Sequence, residues 1–320
     1  MKAASNSNPR EEPRIGGAGH RLALTSATES LGEGANKGDT VPRHIACLTF
    51  DFDVWSGFTS RGMTTPTPVS RGEFGLVGAK RILGLLEKYD IRSTWFIPGV
   101  IIDTHTDAAA SVVAKGHEIG HHGYSHVVPA TMTPEREEAE MVRAIESIRR
   151  VSGRAPRGYR SCAWDLSPVT IDLLIKHGFD FDTSMMGDDY TPYRARRGDK
   201  PTVDEPFVFG EPTRLVEMPI SWTLDDYPHF EFIRTPQTIL PGLSNASAVL
   251  ENWLDDFRYM VENYEWGILT YTCHPFVIGR GHRMIMLEKL VRGLKEMGAE
   301  FMAMEDAMDA FLAREGKAKA

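Results

Sequence analysis

Residues 44–53 read HIACLTFDFD, a largely apolar run from Ile45 to Phe50 that closes on Asp51-Phe52-Asp53. A short apolar run of this kind is a buried strand. Its end delivers two carboxylates to one edge of a sheet. Side chains alternate along a strand, so Asp51 and Asp53 face the same way if the strand continues through them. Three further segments repeat the arrangement. Residues 116–126 (GHEIGHHGYSH) put a short strand before a histidine-rich loop, residues 157–165 (RGYRSCAWD) carry a strand that ends at Arg160, and residues 267–275 (GILTYTCHP) carry one that ends at His274. Parallel strands that each finish in polar residues at one mouth are what an α/β barrel needs.

The rest of the chain alternates in step. Helical spacing of apolar residues predicts helices over Gly75–Tyr89, Asp107–Lys115, Thr133–Val151, Ser167–Lys176, Asn245–Tyr264, Gly281–Met297 and Glu305–Arg314. Strands are expected over Arg92–Pro98, His117–Gly120, Phe179–Asp182, Leu215–Ile220, Gly267–Cys273 and Ala299–Met302. The Pro-, Arg- and Asp-rich segment between Asp182 and Leu215 reads as a long loop. Strands alternating with helices, and no tight-hairpin signature, favour a parallel α/β barrel. There is no G-x-G-x-x-G and no Walker-type loop, so a nucleotide fold has no support.

Residues 1–42 are rich in Ser, Asn, Gly, Glu and Arg without apolar period, and read as a disordered amino-terminal extension before a catalytic domain over 43–320. The hydrophobic share of 42% and charged share of 25% are those of a globular chain with a full core. A net charge of −8 without a basic stripe argues against nucleic acid as a partner. No stretch has the length of a membrane span, and no basic region followed by an apolar core opens the chain. The three cysteines are widely spaced, with no C-x-x-C pair, so the reading places the chain in a reducing compartment, the cytoplasm.

The polar strand ends carry the chemistry. His122 and His126 stand at i, i+4 in the loop after Gly120, a spacing suited to one metal ion. His117 and His121 share that spacing but begin inside the strand, where His117 and Glu118 serve as structural hydrogen-bonding groups. A lone D-x-D reads as solvated loop carboxylates; beside these histidines it reads as part of a site. Two imidazoles and a carboxylate on a divalent cation leave positions for water and a substrate oxygen, and free the second carboxylate to act as general base. Arg160 can hold an aspartate ionised, and His274 can protonate a leaving nitrogen. Cys273, beside His274, should point to the opposite face, which leaves Cys162 as the better candidate for a reactive thiol. The basic, Gly-rich run from Ile278 to Arg283 either binds an anion at a helix start or is a solvated loop.

Together these motifs resemble the polysaccharide deacetylase superfamily, and within it the intracellular branch of peptidoglycan deacetylase-like, allantoinase-like and cyclic imide hydrolase proteins. Ser184-Met185-Met186, Asp189 to Tyr193 and Leu224-Asp225-Asp226 look like that branch too. The resemblance implies a deformed (β/α)7 barrel, a divalent metal (Zn, with Co, Ni or Mn as alternatives) and a homo-oligomer, often a tetramer. By position it makes Asp51 the catalytic base, Asp53, His122 and His126 the metal ligands, Arg160 the residue that orients the base, and His274 the catalytic acid. His121 stands where many members have asparagine, and offers a different ligand; Cys162 stands where a proline is expected. The implied activity is hydrolysis of a non-peptide C–N bond in an N-acetyl sugar or a small or cyclic amide or imide. Tyr190 and Trp222 are expected to wall the substrate pocket. Two readings stand beside it: a non-haem iron oxygenase, since two histidines and a carboxylate also form that centre, and an inert metal-dependent carbohydrate-binding protein.

Overall fold

A computed structural model describes residues 44–234 and 239–318. The expected 1–42 extension lies outside the described residues. Eleven strands are named here in chain order: β1 His44–Asp51, β2 Thr94–Ile97, β3 Glu118–His121, β4 Gly158–Tyr159, β5 Phe181–Asp182, β6 Tyr193–Arg197, β7 Glu211–Glu217, β8 Ile233–Arg234, β9 Ile239–Leu240, β10 Gly267–Cys273 and β11 Glu300–Phe301. The main sheet runs β10-β1-β2-β3-β4-β5-β7-β6, and β11 pairs with β1 below β2. From β10 to β7 the order contains seven strands, all paired in parallel. This is the deformed seven-stranded barrel expected, in the form of an open curl. No ladder joins β7 to β10 among the described residues; the chain after β7 reaches β10 by one bridge, Asp225 to Thr272.

The alternation of β1 decides what lies inside the curl. Ala46, Leu48 and Phe50 pack outward with Ile82, Leu86 and other residues of the surrounding helices. Ile45 and Cys47 face inward and meet Phe96, Phe181, Val216, Ile268 and the final helix, Met304–Ala318, at Met304 and Met308. By the same parity Thr49, Asp51 and Asp53 continue the inner face above this apolar floor. In β10, Leu269, Tyr271 and Cys273 belong to the outer layer and Ile268 to the inner core, so Cys273 and His274 point apart as expected.

Three differences from the sequence reading have local causes. The helix expected to start at Gly75 begins at Pro66, with prolines in its first turn where their missing N–H groups are not needed. Its early face is glycine rather than apolar, because backbone passes close by. A Cβ at Gly78 would sit 1.9 Å from the Pro275 carbonyl oxygen. A short helix, Gly99–Thr104, precedes the Thr106–Ala114 helix. The segment read as a long loop contains β6, antiparallel to β7. The β6 sequence YRARR buries only Ala195, so it carries little apolar signal. No described helix is long and apolar enough to cross a membrane.

Candidate active site

Asp51 is the last residue of β1, and the chain stays extended to Phe52, whose N–H donates to the Phe96 carbonyl at 2.9 Å. It then turns through Val54, at φ 51°. The N–H of Ser56 (2.9 Å) and its hydroxyl (2.8 Å) both donate to the Asp53 carbonyl, which fixes the turn. Both carboxylates are thereby buried at the mouth, 1% and 4% exposed.

His122 leaves the end of β3. The loop behind it curls through Gly123 and His126, both left-handed (φ 67° and 59°), and brings the two imidazoles to a centroid separation of 5.0 Å. Ser125 pins the loop by donating its N–H and hydroxyl to Glu140. His122 Nε2 lies 3.5 Å from Asp53 Oδ1, and His126 Nε2 lies 3.2 Å from Asp53 Oδ2. His122 Nδ1 contacts the Arg160 carbonyl at 2.8 Å, an acceptor that requires the proton on Nδ1 and leaves the Nε2 lone pair facing Asp53.

Burial lowers the His122 pKa and keeps the ring neutral, although Asp51 and Asp53 pull the other way. Burial alone would raise the Asp53 carboxyl; His126 at 3.2 Å and His274 at 3.8 Å outweigh it and hold the group below the usual carboxylate range. Asp53 Oδ1 is buried with no hydrogen-bond partner. A carboxylate with one orphaned oxygen and an imidazole nitrogen facing each oxygen fits a divalent cation.

The sulfur of Cys162 also lies within 4.8 Å of nitrogens of His122 and His126. Asp53 is the better third ligand. The Cys162 thiol donates to the His122 carbonyl at 3.3 Å, and burial pushes its pKa well up, so it remains a thiol. The same burial removes Cys162 as a reactive nucleophile.

Arg160 is fully buried. Its Nη1 donates to Asp51 Oδ1 at 2.6 Å and to Thr49 Oγ1 at 2.9 Å, and the guanidinium lies 4.1 Å from the centroid of Phe96. The contact with Asp51 is made through one nitrogen.

Behind His274, Asp226 accepts from its backbone N–H through both oxygens (2.9 and 3.0 Å) and meets its Nδ1 at 2.8 Å. The Nε2 face is thereby turned inward, 3.8 Å from Asp53 Oδ2. Burial would lower the His274 pKa, but Asp225, Asp226 and Asp53 raise it well above the ordinary value. Burial, with Asp226 adjacent, pushes Asp225 up to about 8 against the pull of His274. Asp226 was visible only as part of a motif without a role; its partner is 48 residues away in the chain.

Asp51, Asp53, His122, His126, Asp225 and His274 line a cavity of about 140 Å³, walled also by Phe58, Arg61, Trp164, Trp222, Tyr227 and Phe276. Trp222 lines the cavity, stacked on Trp164 at 4.0 Å. Tyr190 does not. Its hydroxyl donates to Asp256 at 2.5 Å, its carbonyl accepts from Ile268 N–H near the start of β10, and it is 2% exposed, so it is a core residue at the far end of that strand. A tyrosine in an irregular segment carries no local sign of which end of the barrel it reaches.

His121 is corrected as well. Its Nε2 contacts the Met141 carbonyl (3.1 Å), its Nδ1 accepts from Gly123 N–H (3.1 Å), and its ring stacks on Tyr159, so both nitrogens are used away from the cavity. His117 contacts Ser93, and Glu118 accepts from Thr94, as structural groups. The Ile278–Arg283 run borders a separate cavity, and Arg283 donates to the Val277 and Phe230 carbonyls, holding the loop together.

Residues 74–181 match the sequence pattern of the polysaccharide deacetylase family. The chain is 35% identical over 284 residues to the peptidoglycan deacetylase of Helicobacter pylori, which spans 84% of this chain and 96% of that one. It is 28% identical to a peptidoglycan deacetylase-like protein of Gibberella zeae over 298 residues, 83% of this chain and 85% of the relative. Among solved structures it is similar to a Mycobacterium smegmatis protein named for polysaccharide deacetylases, with 27% identity, a TM-score of 0.72 and coverage of 88% and 94%. An allantoinase at 22% identity, with a TM-score of 0.70 and coverage of 85% and 91%, shares the fold.

Proposed function

This chain belongs to the polysaccharide deacetylase family, hydrolases of C–N amide bonds, and on that premise we propose a metal-dependent hydrolase of non-peptide amides with Asp51 as base and His274 as acid. The observation that carries the reading is a pair of held groups bordering one cluster. Asp51, fixed by Arg160, lies 3.8 Å from His122 Nε2, and His274, fixed by Asp226, puts its Nε2 3.8 Å from Asp53 Oδ2, both against the Asp53-His122-His126 cluster. An oxygenase has no use for that pair, and a binding module needs neither base nor acid.

Asp53, His122 and His126 would hold the cation, with Zn first and Co, Ni or Mn as alternatives. When bound, such an ion supplies Lewis acidity and lowers the pKa of water towards about 7. Asp51 accepts the proton of the attacking water, while Arg160 aims the carboxylate. His274 Nε2 gives a proton to the departing nitrogen, and Asp226, on Nδ1, orients the ring and stabilises the imidazolium that carries that proton. The small cavity and its aromatic walls suit a small or cyclic amide or imide. The names of the relatives support an N-acetyl sugar as the other substrate class.

Chelated and zinc- or cobalt-reloaded protein, assayed on N-acetylglucosamine oligomers, cyclic imides, hydantoins and allantoin, tests the proposal. Activity should vanish on chelation and return with metal. Acetate release identifies a sugar deacetylase, and ring opening without acetate a cyclic amidase. Turnover that survives complete metal removal overturns the reading.

Asp226→Asn checks the acid separately. It removes one of the three carboxylates that raise the His274 pKa, the one bonded to its Nδ1. An acid must be protonated to work, so activity falls as pH rises through its pKa. A lower pKa moves the alkaline limb of the pH–rate profile to lower pH. The expected result is that shift with a kcat loss of about a hundredfold or more; an unshifted limb would remove His274 as the acid.

A further inference from the structure

We propose that Arg61 and the hydroxyl of Tyr227 form an anion clamp on the rim of the catalytic cavity, so that the preferred substrate is an amide whose amine half carries a carboxylate or similar anion. The inference rests on the amide-hydrolase reading only for which half of the substrate bears the charge.

Arg61 follows the short helix Ser56–Thr59, its N–H donating to the Phe58 carbonyl at 3.1 Å. Its Nη1 donates to Tyr227 Oη at 2.6 Å, with the guanidinium carbon 5.6 Å from the ring centroid. Among the described residues that line the cavity, Arg61 is the only lysine or arginine. A net charge of −8 makes a cation there more than the spill-over of a basic surface. No described Asp or Glu pairs with it, whereas Arg71, Arg92, Arg154 and Arg157 each engage a carboxylate. The rest of its donor fork is exposed and available.

Tyr227 completes the pair. Its oxygen accepts from Arg61, so its own O–H points elsewhere and remains a donor. Burial above all raises its pKa, which keeps the phenol protonated. A phenol O–H beside a guanidinium fork matches the two oxygens of a carboxylate. The Tyr227 ring lies 5.3 Å from that of His274. His274 serves the departing nitrogen, so an anion held here is attached to the amine half. Such a substrate would come from a reaction that acylates an amino acid or an acidic amino sugar.

The test uses two matched pairs: N-acetylglycine and its methyl ester, and N-acetylmuramic acid and its methyl ester. Binding is measured by calorimetry to zinc-loaded Asp51→Asn protein, with and without Arg61→Gln. At least one acid should bind about tenfold tighter than its ester. Arg61→Gln should erase that ratio by weakening the acid alone, and Tyr227→Phe should reduce it in part. Equal binding of acid and ester in both pairs, or equal weakening of both by Arg61→Gln, overturns the clamp. Hydrolysis of the four compounds by wild-type enzyme is scored separately. Failure to cleave any of them counts against the proposed reaction, while the binding ratio judges the clamp by itself.

Discussion

Asp51→Asn should reduce kcat by about a thousandfold or more, the range expected when a general base is lost. Zinc content should stay at wild-type level, because Asp53, His122 and His126 are untouched. The fold will not be indifferent. Asp51 is the counter-charge of an arginine with 0% exposure. Asparagine keeps an oxygen for Arg160 Nη1 but not the charge, and losing a charged hydrogen bond of this kind costs about 2 kcal/mol. Kinetics, metal analysis and chemical denaturation on one preparation check all three parts. Turnover within tenfold of wild type would remove Asp51 from the mechanism; lost metal would exchange its role with that of Asp53.

Arg160→Met should be the most destabilising single change at the site. It leaves Asp51 buried with its cation gone, and breaking one partner of a buried pair costs about 3–5 kcal/mol. Asp182, which Arg160 also stabilises as an anion, adds to the loss. Activity should fall with stability, since the base is no longer aimed. The double variant Asp51→Asn/Arg160→Met separates pair from scaffold. Removing both charges relieves the uncompensated one, so the double variant should be more stable than Arg160→Met alone. The coupling energy from the cycle should exceed about 1 kcal/mol. Strict additivity would mean that the 2.6 Å contact carries no net energy.

Much of this site could be read locally. The alternation of β1 put Asp51 and Asp53 on one face, and the cluster of histidines after Ile119 marked the candidate metal-binding loop that follows β3. The polar ends of β1, β3, β4 and β10 pointed to one mouth because parallel strands present the same end to the same side. The resemblance added roles to these residues by position. Where the reading failed, the local signal was ambiguous. His121 and His122 are adjacent histidines, and only the β3 register with Phe96 and Tyr159 decides which faces the cavity. The aromatic residues of the irregular segments were equal candidates for the pocket until packing sent Tyr190 to the floor of β10 and Trp222 to the mouth.

The sequence by itself determined the alternating α/β order, the inward face of β1 and a set of candidate groups for metal binding and proton transfer. These follow from short-range physics: side-chain periodicity, helix capping and the cost of burying an unpaired charge. Tertiary structure alone decided the partners. It set Asp226 behind His274, turned the Cys162 thiol onto a carbonyl, left the curl open between β7 and β10 with one bridge at Asp225, and leaned Arg61 on Tyr227 at the rim. Each of these joins segments 40 or more residues apart. Contacts of that range depend on how helices and loops pack around the sheet, and no period along the chain encodes them.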